Sequence, residues 1–129
     1  WEQPRFACDW PSGLSAFGLK GTPSLVIKTE WHTPDIWIRT TFDAPEPMDG
    51  HLLVALTCHD EDAELYLNGV LAATGRSYVT RFVPLPVRPE AAKAVHAGSN
   101  TIAVHCHHRE GGQYIDVGIL LGSKGLAGD

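Results

Sequence analysis

The sequence predicts one all-β domain, a β-sandwich of jelly-roll type with a single short helix. Nine prolines and thirteen glycines interrupt the 129 residues at short intervals, and one stretch between them is suited to a helix. Several short runs alternate apolar and polar residues, as strands that bury one face do. A chain of this length can bury roughly two thirds of its surface in one core, which leaves no room for a second domain.

The first half of the chain supplies four of the expected elements. Residues 1–24 combine proline, glycine and large aromatic side chains, which predicts an ordered N-terminal segment that wraps the body. Strands are expected at 25–28, 36–42 and 51–59. In the second of these, Trp37 and Arg39 share the face that the apolar residues do not use, so ring and guanidinium could stack. The third strand is apolar on both faces, as is typical of the centre of a sandwich.

The second half continues with a hairpin, an edge strand, the helix and two more strands. Asn68-Gly69 between alternating apolar residues predicts a hairpin over 64–73. Two prolines place 81–87 at a sheet edge, because proline cannot donate to a strand ladder. Pro89 begins the expected helix, 89–95, and Gly98 follows its end. Strands are expected at 101–108 and 114–121, with 122–129 as a frayed tail.

Charge and composition exclude two classes of partner. The net charge is −5 and no stretch of lysine and arginine forms a basic face, so nucleic acid is not expected as the main partner. No apolar run approaches the roughly 20 residues that a membrane span needs. Because the chain begins with Trp1 rather than Met, it is expected to be a processed protein or a domain of a larger one.

Three cysteines, Cys8, Cys58 and Cys106, show no CxxC spacing and form neither a zinc ribbon nor a disulfide framework. Cys58 and Cys106 lie in apolar alternations, where cysteine usually acts as a small buried hydrophobe. A disulfide between these two is the alternative.

Several segments together resemble a known family. They are 29–31 (TEW), 35–39 (DIWIR) with Phe42, 60–69 (DEDAELYLNG), 98–104 (GSNTIAV) and 112–118 (GQYIDVG). This series resembles the galactose-binding-like jelly roll of the N-terminal sugar-binding domain of family 2 glycoside hydrolases and of accessory modules in bacterial carbohydrate-active enzymes. The resemblance covers residues 10–121. It implies a non-catalytic domain, extracellular or periplasmic, that binds glycan or supports a neighbouring catalytic domain.

Sugar binding requires flat aromatic rings with a few directional polar groups, because sugars present apolar C–H faces ringed by hydroxyls. In the family this sequence resembles, ligands usually meet loops at one rim of the sandwich. The candidate ligand-binding residues in such loops are Trp31, Asp60, Glu61, Arg76, Tyr78, Arg109, Gln113 and Tyr114. Each has a plain alternative, either core packing (Trp31, Tyr114) or ordinary surface (Arg76, Tyr78).

A histidine cluster is the candidate metal site. His105 and His107 are two apart on an expected strand and project from one face, so they could hold zinc with His59 or Asp60 as third ligand and Glu110 as fourth. Histidines that hydrogen-bond on a half-buried sheet face are the commoner case. No cofactor is required, although the resemblance implies that Asp116 or the acidic turn at 60–62 could hold a structural Ca²⁺.

Two other functions remain open at this point. One is a purely structural domain that packs on a catalytic partner. The other is a small metal-dependent, cupin-like enzyme that uses Gly98, His105, His107 and Glu110, although this spacing departs from the cupin motif. Other catalytic signatures are thin, since the serines lie in no G-x-S-x-G elbow and the carboxylates of the acidic turn have no distant partner.

Overall fold

A computed structural model describes residues 1–5, 10–20, 26–45, 51–59, 62–76, 79, 81–109 and 113–123. Within them lie nine strands and one short helix. In chain order they are β1 (Phe17–Gly18), β2 (Thr29–Glu30), β3 (Asp35–Ala44), β4 (His51–His59), β5 (Asp62–Leu67), β6 (Val70–Gly75), β7 (Val83–Pro86), α1 (Pro89–Ala94), β8 (Gly98–His107) and β9 (Tyr114–Ser123). The predicted all-β class with one helix is confirmed.

The strands form two sheets that pack face to face. One sheet has five strands in the order β2-β1-β9-β4-β7, and the other has four in the order β3-β8-β5-β6. The longest ladder joins β3 and β8 in antiparallel register, from Asp35 opposite His107 to Ala44 opposite Gly98. Two of the three neighbouring pairs in the four-stranded sheet, β3 with β8 and β8 with β5, therefore join sequence-distant strands.

The core lies between the sheets because each long strand alternates buried and outward side chains. On β5 every second residue, Ala63, Leu65 and Leu67, is buried, and on β8 Ile102, Val104 and Cys106 face inward as predicted. Full burial of a leucine side chain contributes about 1.5–3 kcal/mol. Helix α1 packs on β6 and buries Ala91, so it covers one end of this layer.

The Asn68-Gly69 turn joins β5 to β6 as predicted. Both residues have positive φ, 49° and 85°, which a two-residue hairpin turn of the primed type requires. The Asn68 side chain also ties the turn to its surroundings: Nδ2 donates to the carbonyl of Ala94 and to Asn100 Oδ1, and Oδ1 accepts from the amide of Thr101. The turn therefore fixes the position of α1 relative to β8.

Several strand boundaries differ from the prediction, and β8, for example, begins at Gly98, three residues before its expected start. The short strand expected at 25–28 is displaced to Thr29–Glu30, because the amides of Lys28 and Thr29 both donate to the carbonyl of Ala16 and β2 pairs with β1 only beyond this point. Strand β1 lies within the segment 1–24, for which no strand was predicted. Strand β9 continues to Ser123, two residues beyond the predicted end, through its ladder with β4.

Cys58 and Cys106 are both buried and neither forms a disulfide, as the favoured interpretation predicted. They lie on β4 and β8, in different sheets, and the alternative disulfide does not form. Cys8 lies outside the described residues. None of the described helices is long and apolar enough to cross a membrane.

Candidate functional site

The outward side of the four-stranded sheet carries a group of aromatic and ionisable side chains. On β3 the alternation that directs Ile36 and Ile38 to the core turns Trp37 outward. The ladders align Trp37 on β3 with His105 on β8, and His105 with Glu64 on β5. We call the group the outer-face cluster; its members are Asp35, Trp37, Glu64, His105 and His107.

Trp37 is the exposed aromatic surface of the outer-face cluster. Its ring lies parallel to that of His105, with centroids 4.9 Å apart and an interplanar angle of 14°. The side chain is nevertheless 46% exposed. Arg39, on the same strand, donates from Nη1 to the main-chain carbonyls of Trp1 and Gln3.

Two carboxylates hold the His105 ring from opposite sides. His105 Nε2 lies 2.8 Å from Asp35 Oδ1, and Nδ1 lies 3.2 Å from Glu64 Oε1. A neutral imidazole has a proton on one nitrogen only, so His105 donates to both carboxylates only when both nitrogens carry protons. These contacts leave the ring little freedom to rotate, and they fix the surface on which Trp37 rests.

Asp35 also accepts from a second histidine. His107 Nδ1 lies 2.8 Å from the same Asp35 Oδ1. The His107 hydrogen bond lowers the pKa of Asp35 below its ordinary value; partial burial opposes the shift and the His105 bond adds to it. Asp35 therefore stays ionised as an acceptor between His105 and His107.

The N-terminal segment closes one side of this face. Trp1 packs edge-on against Tyr66, with ring centroids 5.3 Å apart, and against His105 at 6.3 Å. Burial, followed by the negative charge of Glu64, raises the pKa of the Tyr66 hydroxyl. Trp1 and Tyr66 thus form an apolar wall beside the outer-face cluster.

Two of the sequence-predicted loop residues meet at the edge of the same face. Arg109 Nη2 donates to Asp62 Oδ2 at 2.5 Å, and Arg76 Nη1 lies 3.6 Å from the same oxygen. Asp62 stands opposite His107 in the β5–β8 ladder. Both guanidinium groups are largely exposed, so the ion pairs themselves add little stability.

Three other predicted ligand residues are interior side chains with their polar atoms engaged. Trp31 is 5% exposed, and its Nε1 lies 3.2 Å from both Thr33 Oγ1 and the carbonyl of Asp35. Gln113 Nε2 donates to the carbonyl of Thr33, and the Tyr114 hydroxyl donates to the carbonyl of Val79. Asp60, Glu61 and Tyr78 lie outside the described residues.

The candidate metal ligands that the structure describes are divided between the two sheets. Asp116 is on β9 in the five-stranded sheet, where its Oδ1 accepts from Ser15 Oγ and from the amide of Val117. His59 is buried on β4 of that same sheet, away from His105 and His107 on β8. Across the described ranges, no group of three or more histidine, cysteine, aspartate or glutamate side chains is arranged to hold a metal ion. Asp60 and Glu110 fall outside those ranges, and the zinc and calcium sites stay predictions.

Asp35, Trp37 and Glu64 are the site residues that sequence reasoning missed. The alternation of β3 and β8 already turned Trp37, His105 and His107 away from the core. The sequence does not show that β3, β8 and β5 are adjacent in one sheet. Asp35 and His105, for example, are 70 positions apart in the chain. A search among outward strand positions, rather than loops, would have found Trp37.

No family model and no curated protein matches the chain. Among solved structures, it is similar to Bifidobacterium dentium β-glucuronidase complexed with coumarin-3-O-glucuronide, with 22% identity and a TM-score of 0.50 over 62% of this chain and 12% of that one. Two structures of a glycosyl hydrolase family 2 member from Bacteroides cellulosilyticus match at 18% and 17% identity, each with a TM-score of 0.49, over 67% of this chain and 13% and 12% of those.

The expected resemblance is confirmed at the level of the fold. This chain folds like a part of a β-glucuronidase. It corresponds to a small fraction of that enzyme's length, so the enzyme's activity is not carried over by the similarity.

Proposed function

We propose that this chain is a non-catalytic carbohydrate-binding module of a carbohydrate-active enzyme, and that the outer-face cluster holds the glycan. The observation that carries the proposal is the Trp37 ring, exposed over 46% of its surface yet held flat against His105. Tryptophan is enriched at binding interfaces, because its ring supplies a large flat apolar area with a polar edge. The fold shared with part of a β-glucuronidase supports a glycan-related context.

The chemistry of the cluster suits a pyranose ring. The indole offers a flat apolar area for the C–H face of the sugar. Asp35 and Glu64 are acceptors on either side of His105, the ring that stacks on Trp37, and ionised carboxylates form strong hydrogen bonds with hydroxyl donors. Because His105 already fixes Trp37, little rotational freedom is lost on binding. Arg76 and Arg109 extend the proposed site along the edge of the sheet.

Binding of this kind is weak and reversible, and its use is to raise local concentration. A module tethered to a catalytic domain keeps that domain near the polymer through a high effective concentration. The proposed partners are therefore a poly- or oligosaccharide and a catalytic domain of the same polypeptide. The proposed location is extracellular or periplasmic, where such polymers are met.

The test is affinity electrophoresis through gels that contain a panel of soluble polysaccharides. We expect retardation of the wild-type chain by at least one polymer and loss of that retardation in Trp37→Ala. The matched control is Phe82→Ala, which removes an aromatic ring of similar exposure (48%) that lies away from the cluster. The combined variant Arg76→Ala with Arg109→Ala should weaken binding partially.

Two results contradict the proposal. The first is a wild-type chain that migrates unretarded in every polymer of the panel. The second is a Trp37→Ala variant that is folded and retarded as strongly as the wild type, which would move any binding to the predicted loops.

A further inference from the structure

Strand β3 is the longest border strand of the two sheets. Among the described strands, the five-stranded sheet ends at β2 and β7, which have two and four residues, and the four-stranded sheet ends at β6 and β3. Helix α1 packs on β6, and the carbonyl of Ala72 on β6 accepts from the amide of Arg88. Strand β3 has ten residues, and β8 is the one described strand that pairs with it. The outer side of β3 is therefore the place where either sheet can best accept another strand.

Alternate residues of β3 direct their main-chain groups away from β8. In an antiparallel ladder, opposite residues alternate between pairs that exchange hydrogen bonds and pairs that do not. The amide of His108 donates to the carbonyl of Pro34 at 2.7 Å, so Pro34 and every second residue after it face β8. The odd-numbered residues face the outer side, where the carbonyl of Asp35 accepts from Thr33 Oγ1 at 2.9 Å. A further strand would therefore pair with the odd-numbered residues of 37–43.

The core-facing side chains of β3 are incompletely covered. Ile36, Ile38 and Phe42 pack on the core but are only partly buried. The core-facing residues of the adjacent strand β8 between positions 102 and 106 are at most 6% exposed. Thr40, which lies between the apolar residues of β3, is exposed. A strand added beyond β3 would complete the burial of these side chains, and burial of apolar surface favours association.

We infer that β3 pairs with β3 of a second copy of this chain, antiparallel and about a two-fold axis at Thr40. Two copies related by such an axis use the same surface, as is usual in dimers. The residues that pair are 36–44 of each copy. In this register the odd-numbered residues of the two strands lie opposite each other, so the main-chain groups of the outer side form about eight hydrogen bonds. The two four-stranded sheets become one continuous sheet.

The residues of β3 complement each other in this register. On the core side Ile38 faces Phe42 of the second copy, and the reverse contact repeats on the other side of the axis, so partly buried apolar side chains cover one another. On the outward side the charged residues Arg39 and Asp43 each face an uncharged side chain of the other copy. The guanidinium of Arg39 keeps its own bonds to the N-terminal segment, because the new ladder uses main-chain groups.

Neighbouring registers fit less well. A pairing centred on Arg39 would set Arg39 against Arg39 and Asp35 against Asp43, and like charges directly opposite each other are destabilising. A pairing centred on Ile38 would include Asp35, whose carbonyl is already engaged, and would leave Phe42 beyond the paired residues of β3. The fit of β3 to itself about Thr40 is the reason to name a second copy as the partner.

The dimer would present both outer-face clusters on the same face of one sheet. Trp37 of one copy faces Asp43 of the other, so the two Trp37 rings would be six residues of strand apart, about 20 Å. A glycan that spans this distance would bind both rings, with the gain in affinity that bivalent binding brings. This consequence rests on the proposed function, whereas the dimer itself does not.

The experiment is sedimentation equilibrium of the chain without glycan. Pairing along one strand buries less than the about 800 Å² on each partner that is typical of stable complexes, so we expect a weak dimer. A dissociation constant of about 0.1 mM calls for a concentration series from about 10 μM to about 1 mM. We expect the apparent mass to rise from that of the monomer towards that of the dimer across this series.

Charge variants at the two-fold axis test the register. In Thr40→Lys or Thr40→Glu, like charges face each other at the axis, and each variant alone should have a dissociation constant about tenfold higher or more. An equimolar mixture of the two variants sets Lys against Glu and should associate about as strongly as the wild type. Thr40 is exposed, so the monomer should tolerate both substitutions.

A proline variant tests the hydrogen bonds on the outer side of β3. Thr41→Pro removes an N–H that faces away from β8 and leaves the ladder with β8 intact, as proline on an edge strand does. It should also raise the dissociation constant about tenfold or more. Thr41→Val keeps the N–H and the branched shape, and as the matched control it should associate like the wild type. Circular dichroism establishes that each variant is folded, and if Thr41→Pro is not, the charge variants decide.

Three results overturn the inference. The first is a wild-type chain that stays monomeric over the whole series, as it would if the edge of β3 accepts a different extended chain. The second is wild-type association by folded Thr41→Pro or by Thr40→Lys, which would place the contact on another surface. The third is failure of the mixed charge variants to associate. Retardation by polysaccharide and its loss in Trp37→Ala are measured separately, so the glycan proposal and the dimer fail independently.

Discussion

Trp37 rests on His105 with ring centroids 4.9 Å apart, and His105 is itself held between the carboxylates of Asp35 and Glu64. The exposed ring of Trp37 thus stacks on His105, whose orientation is determined by Asp35 on β3 and Glu64 on β5. The position of the Trp37 ring on β3 therefore depends on residues of β5 and β8.

Removal of His105 should weaken glycan binding without removal of any residue that faces the ligand. In His105→Ala, Trp37 loses the ring beneath it, and Asp35 and Glu64 lose the donor between them. We expect at least a tenfold higher dissociation constant, which corresponds to about 1.4 kcal/mol, measured by titration calorimetry on a retained polysaccharide. His96→Ala, which replaces an exposed histidine, should bind normally. An unchanged affinity in a folded His105→Ala would show that Trp37 acts without this support.

Asp35 should make stability depend on pH on the acid side. Its pKa is lowered from 3.8 in the folded protein, so its ionised form stabilises the fold fully above that value, and this contribution is lost as the pH falls through the lower folded pKa. We expect the difference in melting temperature between the wild type and Asp35→Asn to shrink as the pH falls from 4 towards 2. Asp43→Asn, exposed on the same strand, should show no such change. A difference that persists unchanged to pH 2 contradicts the assignment.

Asn100 should be among the most sensitive polar positions. It is 1% exposed, and its Nδ2 donates to the carbonyls of His96 and Gly98 while its Oδ1 accepts from the amide of His96 and from Asn68 Nδ2. Asn100→Ala leaves buried donors and acceptors unpaired, at about 1–3 kcal/mol for each such group. We expect urea unfolding to give a loss of about 2 kcal/mol or more, against less than about 0.5 kcal/mol for the exposed neighbour Ser99→Ala. Equal losses in the two variants would contradict a network role for Asn100.

Gly75 should not tolerate a side chain. A Cβ there would lie 2.4 Å from Cε1 and 2.5 Å from Nε2 of His59, a ring that is buried and has no room to move. We expect Gly75→Ala to destabilise the fold by about 1–3 kcal/mol, the usual range for overpacking, in urea unfolding. The control is Gly118→Ala, because a Cβ at Gly118 has nothing within 4 Å and should be neutral. If Gly75→Ala is as stable as the wild type, the His59 ring is not fixed in this position.

The fold could be predicted largely because its signals are local. Asn68-Gly69 determines a hairpin, two prolines determine an edge strand, and Pro89 begins the helix, each through the chemistry of neighbouring residues. The short strands β1 and β2 escaped prediction because their two residues each are strands only through pairing with one another and with β9. Pairing partners of this kind carry no local pattern.

The candidate site was harder to predict for the same reason. Trp31 and Trp37 are both tryptophans near the start of a strand, and sequence reasoning preferred Trp31. Trp31 is buried because its indole nitrogen finds acceptors at Thr33 and Asp35 within a few residues, whereas the alternation of β3 leaves Trp37 outside. Which outward side chains then meet on the sheet depends on ladders between distant segments, and no periodicity in one segment specifies those.

The two prolines of β7 disfavour edge-to-edge strand pairing between copies of the molecule through that strand. Pro84 and Pro86 occupy alternate positions of the outermost strand of the five-stranded sheet, and neither has an N–H to offer. A strand of another copy would therefore find no regular set of N–H donors along the outer edge of β7. This edge of the five-stranded sheet is thus protected against the addition of a further strand.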